Sequence, residues 1–336
     1  MNGDHRELLY LERKIKELSD CHVLNSKKND GELSKKGILV CADELAREIE
    51  EEVRNNPNLR RISMVGMSLG GLISRAAARK LFNFSRSTIA GLQPEIFMGI
   101  ASPFIGMRGH TFLPIPRYLE KSIGWIIGDT GKELFASGEG KSLVFDMCTT
   151  EEYLAPLRTF RYRRLYAAIQ NDFMVPVTTA AFLEEHETDQ LRTACKDLRG
   201  LVTVLDGQFN AAENDAVSIT SSWLGIPEDK GSKNREMRDA LNALGWEKVL
   251  VNFGGMLPLA HLQICANERW PGWVTSPMGI ELGHEIMDDS ANYLCSGNFV
   301  DSRTCQLSLS TSSLNKPEDG SMGIASSVAL ESLEDL

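Results

Sequence analysis

Apolar positions along this chain of 336 residues follow two rhythms, and the way they alternate predicts the architecture. Leu8, Leu11, Ile15 and Leu18 recur every three to four residues among charges, which predicts a helix over residues 4–18. Ile38, Cys41, Leu45, Ile49 and Val53 mark a second amphipathic helix, with Asp43, Glu44, Glu48, Glu51 and Glu52 on its water side. It should stop near Asn55-Asn56-Pro57, where proline cannot continue it. Short apolar runs at 21–24, 61–65, 95–101, 164–169, 201–205 and 247–253 predict strands. Strands alternating with helices give an α/β class with a mostly parallel sheet covered by helices on both faces.

The most informative stretch is the junction after the 61–65 run. Ile62, Met64 and Val65 are followed by Gly66-Met67-Ser68-Leu69-Gly70-Gly71, and then Leu72, Ile73, Ala76, Ala77 and Leu81 return at helical spacing. Strand, tight turn and helix around G-x-S-x-G is the context of a nucleophile elbow, which lifts the Ser68 hydroxyl above the sheet. The glycines fit because a Cβ would collide with the neighbouring strand or helix. The Leu69 N–H, at the positive end of that helix, points beside Ser68 Oγ, where a tetrahedral oxyanion would form.

A serine nucleophile needs a base, and the base an orienting acid, in the chain order serine, acid, histidine. Acids just after strand ends are Asp172 and Asp206. His261 lies after the last predicted strand, behind a connection over 254–260, and His284 is the fallback; His5 and His22 precede the serine. Residues 104–160 form a looser insertion rich in Phe112, Leu113, Ile115, Tyr118 and Trp125. It reads either as a peripheral subdomain with its own small core or as a cap whose apolar face receives an acyl chain. Gly138-Glu139-Gly140-Lys141-Ser142 resembles the end of a phosphate loop, but Phe135 stands where the leading glycine belongs, so no nucleotide site is expected. A second insertion, 186–247, is polar, with Glu228-Asp229-Lys230-Gly231 as an exposed loop.

Composition narrows the function classes. A formal net charge of −10 leaves no basic face to displace counterions from phosphates, which argues against nucleic acid. Seven scattered cysteines without CxxC spacing read as reduced thiols in a cytoplasmic protein, with no metal site and no cofactor. No secretory signal opens the sequence and no apolar run reaches the ~18 residues of a membrane span. Residues 301–336 lack aromatics and are rich in serine, threonine and acids, as in a disordered tail beyond a domain of residues 1–300.

Four stretches carry a resemblance: Val65 to Arg75 (V-G-M-S-L-G-G-L-I-S-R), Ile100 to Gly109 (I-A-S-P-F-I-G-M-R-G), Asn171 to Pro176 (N-D-F-M-V-P) and Leu259 to Ile264 (L-A-H-L-Q-I). They resemble the serine esterase, or lipase-like, family of α/β-hydrolases, first described as a domain of unknown function. The resemblance runs over residues 2–295. It implies an α/β-hydrolase fold with Ser68 as nucleophile, Asp172 rather than Asp206 as the acid, and His261 as the base. It also implies an apolar strand ending in His-Gly just before the segment resembling Asn2-Gly3-Asp4-His5. That strand would lie centrally, between 21–24 and 61–65, and its loop, in the Gly3 region, would give a second oxyanion donor. Met1 stands where the strand should have ended, so the sequence is expected to be a truncated gene model that lacks it. Otherwise the chain is a shorter isoform, or the two flanking strands have closed on each other.

The expected function is hydrolysis of carboxylic esters of lipid-like substrates through an acyl-enzyme on Ser68, with peripheral contact to membranes or lipid droplets. The alternatives are a catalytically impaired lipase-like scaffold that binds a lipid or protein partner, and a thioesterase or transacylase using the same residues.

Overall fold

The computed structural model describes residues 5–107, 128–135, 142–195, 200–204, 228–254, 259–266 and 277–296. Its centre is a five-stranded sheet built from β1 (Arg61–Met67), β4 (Gln93–Ile100), β5 (Tyr162–Ala168), β7 (Glu247–Asn252) and β6 (Gly200–Val204), in the order β1-β4-β5-β7-β6. The first four run parallel, and β6 pairs antiparallel with β7. A small hairpin of β2 (Phe82–Asn83) and β3 (Thr88–Ile89) stands apart.

Both faces of the sheet are covered, and the two-residue alternation of the strands divides the core accordingly. Phe97 and Leu165 face a cluster made by the helices Ile38–Asn55, Leu69–Leu81, Leu143–Thr149 and Glu151–Thr159. Ile96, Met98, Ile100, Tyr166, Val249 and Val251 face the other side, against Leu11 and Ile15 of the helix Leu9–Leu18 and Ile286, Met287 and Ala291 of the helix Pro277–Ser296. This is the predicted α/β architecture.

Several elements differ from expectation. The first helix opens as a 3-10 turn over His5–Leu8 and becomes α-helical only at Leu9. Residues 21–24 form no strand. Val23 packs against one core and Leu24 against the other, and the Asn25 amide donates to the His5 carbonyl and to Glu12 Oε2, so local ties hold this segment. The two segments expected to flank a missing strand have therefore not closed on each other.

The described parts of the 104–160 insertion do not make a separate small core. Val144, Met147, Leu154 and Leu157 complete the main one. The buried Arg75 guanidinium fastens them there by donating to the carbonyls of Phe104 and Met147. Ser142, read in the phosphate-loop-like stretch, caps a helix instead, its Oγ accepting from the Phe145 N–H at 3.2 Å. Residues 228–231, expected as a loop, open the helix Glu228–Asn242, which is anchored by buried Met237 and Leu241 at i, i+4 spacing. Phe112 to Trp125, Asp206, the Gly3 region and the 301–336 segment lie outside the described residues. No described helix is long and apolar enough to cross a membrane.

Candidate active site

Ser68 sits between β1 and the helix Leu69–Leu81 with φ 49 and ψ −126, a left-handed conformation that a side chain adopts only under strain. Its neighbours impose it. A Cβ on Gly66 would lie 2.4 Å from Gly71 Cα, and one on Gly71 would lie 2.1 Å from Ser102 Oγ, so helix and strand approach closely only because both are glycine. The Ser68 N–H donates to the Ile100 carbonyl at 2.8 Å, which ties the turn to the end of β4.

Two distant segments meet this serine. With the proton on Nδ1, His261 donates to Asp172 Oδ2 at 2.9 Å, and its Nε2 accepts from Ser68 Oγ at 3.1 Å. Asp172 is 2 % exposed and His261 4 %, so water hardly competes for this contact, while Ser68 is half-buried. The other Asp172 oxygen, Oδ1, accepts from the Met174 N–H at 3.0 Å and the Val175 N–H at 2.7 Å, which fixes the carboxylate. The acid and base segments are also joined through the backbone. Asp172 and Leu259 form an antiparallel bridge, and the Ala260 N–H donates to the Asn171 carbonyl at 3.1 Å. Asn171 reaches this geometry with φ 64, a region asparagine tolerates.

Burial works against the protonated imidazole of His261, but the Asp172 carboxylate, through charge and hydrogen bond, together with the charge of Glu7, outweighs it. His261 therefore titrates above the ordinary imidazole value. Leu69 begins the helix, so its N–H belongs to the first turn, where donors lack intrahelical acceptors.

The structure thus brings Ser68, Asp172 and His261 into hydrogen-bonding reach. His284 lies in the helix Pro277–Ser296 with its ring stacked on Tyr10 at 4.3 Å, and does not line the cavity that holds Ser68 and His261. The sequence reading missed two things: Glu7 as a charge acting on His261, and the role of 171–175 as a clamp. The second had a signal, because an aspartate two and three residues before free N–H groups is a side-chain turn former. Among the described residues no group of His, Cys, Asp and Glu could hold a metal ion.

Ser68 and His261 open onto a cavity of about 670 Å³. All of Arg61 to Met67 line it, so it lies along the edge of β1 that has no strand beside it among the described residues. Leu24, Leu45, Ile49 and Val53 form part of its apolar wall. This is the position where the resemblance expects a strand.

Residues 1–187 match the family described as "Putative serine esterase (DUF676)". The chain belongs to that family. Curated relatives in Saccharomyces cerevisiae are similar to it. "Putative lipase ROG1" is 30 % identical over 154 residues, 45 % of this chain and 22 % of the relative. "Putative lipase YDL109C" is 28 % identical over 217 residues, 63 % of this chain and 31 % of the relative. "Putative lipase YDR444W" is 28 % identical over 145 residues, 37 % and 20 %. The chain spans less than a third of the length of these relatives. No solved structure matches it. Membership implies the α/β-hydrolase fold, in keeping with the mostly parallel sheet and its two helical layers.

Proposed function

We propose that this protein hydrolyses carboxylic esters of lipid-like substrates through an acyl-enzyme on Ser68. The observation that carries the reading is the continuous hydrogen-bonded path from Ser68 Oγ through His261 to Asp172. As Ser68 Oγ attacks the ester carbonyl carbon, its proton passes to His261 Nε2, and Asp172 stabilises the imidazolium. The Leu69 N–H donates to the developing oxyanion. Collapse breaks the bond to the alcohol, which leaves with the proton from His261. Water, deprotonated by the same ring, then releases the acid and regenerates the serine. The apolar wall beside Ser68 suits an acyl chain, and the relatives' names as lipases favour the same substrate class.

One observation favours a second reading, a catalytically impaired scaffold that binds a lipid or protein partner. The edge of β1 beside Ser68 has no strand next to it among the described residues, and an oxyanion hole short of one donor loses on the order of 10²–10³ in turnover. Fluorophosphonate labelling separates the two. The hydrolase reading expects covalent labelling of the wild type and none of Ser68→Ala, and equal labelling of both overturns it. Comparing acyl-CoA with simple esters then distinguishes an esterase from a thioesterase or transacylase.

A further inference from the structure

The segment 27–40, Lys27-Lys28-Asn29-Asp30-Gly31-Glu32-Leu33-Ser34-Lys35-Lys36-Gly37-Ile38-Leu39-Val40, is locally basic in an acidic chain. It carries four lysines against one aspartate and one glutamate, in a protein whose formal net charge is −10. Asp30, half-buried, accepts from the His5 N–H at 2.8 Å, and the exposed Glu32 carboxylate pairs with Lys35 at 2.8 Å. Lys27, Lys28 and Lys36 project into water. So do three aliphatic side chains: Leu33 is 40 % exposed, Leu39 44 % and Val40 47 %.

Hydrogen bonds brace the segment. The Leu33 carbonyl accepts from the Lys36 N–H at 3.2 Å and from Cys41 Sγ at 3.4 Å. The Asn29 amide donates to the Cys41 carbonyl at 2.9 Å, which ties the lysine-bearing loop to the start of the helix that carries Leu39 and Val40. From beneath, Thr130 Oγ1 donates to the Ser34 carbonyl at 2.7 Å and accepts from the Gly37 N–H at 2.9 Å, while Glu133 accepts from the Ile38 N–H at 2.6 Å. The braced loop holds these aliphatic groups partly out in water among lysines. It suits a surface that is both apolar and negatively charged.

We propose that this face docks the protein on an anionic lipid bilayer, with Leu33, Leu39 and Val40 entering the headgroup boundary and Lys27, Lys28 and Lys36 meeting acidic headgroups. Its position gives docking a purpose. Asn29, Asp30, Ser34 and Lys35, from the same segment, line the cavity that reaches Ser68, so a docked molecule turns the cavity rim toward the lipid. This assignment deepens the ester-hydrolase reading and rests on it only for that purpose. The pairing of exposed lysines with exposed aliphatic side chains selects the bilayer as occupant, since an anionic headgroup boundary meets both, and a second copy of the chain is an outcome of the test.

The test is co-sedimentation of the full chain with phosphatidylcholine vesicles, with and without phosphatidylserine, alongside turnover of a soluble p-nitrophenyl acetate. The wild type should bind the phosphatidylserine vesicles, less so as salt rises. The pair Leu39→Asp and Val40→Asp should lower the bound fraction about tenfold, and Lys27→Glu, Lys28→Glu and Lys36→Glu together should remove the preference for phosphatidylserine. None of these positions lines the cavity, so acetate turnover should hold. The charge variant keeps the test open should the aspartate variant not fold. Equal binding to neutral and anionic vesicles, or wild-type binding by both variants, overturns the proposal. So does a concentration-dependent dimer that Leu39→Asp dissolves, because the face is then a protein interface. Vesicle binding without ester turnover leaves the surface standing and sinks the hydrolase reading, and turnover without vesicle binding does the reverse.

Discussion

The two edges of β1 differ sharply. On the inner edge β1 pairs with β4 from Arg61 to Met67, and the ladder continues into the Ser68 N–H bond to Ile100. The Arg60 carbonyl also accepts from the Gln93 N–H on this side. Backbone groups alternate sides along a strand, so those of Ser63, Val65 and Met67 point to the outer edge, which borders the cavity. The inner edge thus sets where Ser68 stands, and the outer edge sets what lies beside it. On the proposed function, acid–base geometry belongs to the first and substrate seating to the second.

The largest effects should come from the inner edge and what meets it there. Ser68→Ala is expected to lower kcat for a p-nitrophenyl ester by roughly 10⁶, with Kd for an unreactive ester analogue nearly unchanged. Next, Asp172→Asn should cost about 10⁴ in kcat, because the imidazole loses both its orientation and its stabilising charge. The pH profile sharpens this case. His261 must be neutral to accept the serine proton, and it titrates above the ordinary imidazole value, so kcat/KM should fall with decreasing pH through an apparent pKa above that value. In Asp172→Asn the acid limb should move to lower pH. An unmoved limb would mean that His261 is not the titrating base.

Gly66→Ala tests the elbow's packing. The new methyl would meet the backbone of Gly70 and Gly71 at 2.5 and 2.4 Å, so unfolding in denaturant should show a loss of about 1–3 kcal/mol. The smallest effect belongs to the outer edge. Leu24→Trp, which narrows the cavity, should raise KM for long-chain esters about tenfold and leave acetate turnover within about twofold. If both chain lengths respond alike, the cavity does not seat the acyl group and the contrast between the two edges collapses.

Much of the inner edge was legible in the sequence because local chemistry writes it. Strand, G-x-S-x-G and an alanine-rich helix are contiguous, and Gly66 and Gly71 report a close approach that only they permit. Asp172 and His261 were readable as positions after strand ends, but the choice of Asp172 over Asp206 came from family resemblance, since periodicity cannot rank two strand-end acids. What the sequence hid is long-range. The run at 21–24 has strand composition but is held by side-chain ties to His5 and Glu12. Likewise, residues 228–231 looked like an exposed loop because the helix they open buries its apolar content further along, around Met237 and Leu241. Glu7 acts on His261 from the other end of the chain, and no local pattern announces such a pairing.

The backbone bridge between Asp172 and Leu259 carries a consequence for how the site comes apart. The segments that carry His261 and Asp172 are fastened to each other by main chain as well as by side chain, so an opening that moves one pulls on the other. If Ser68, Asp172 and His261 carry the proposed reaction, heat or denaturant should switch it off as one unit.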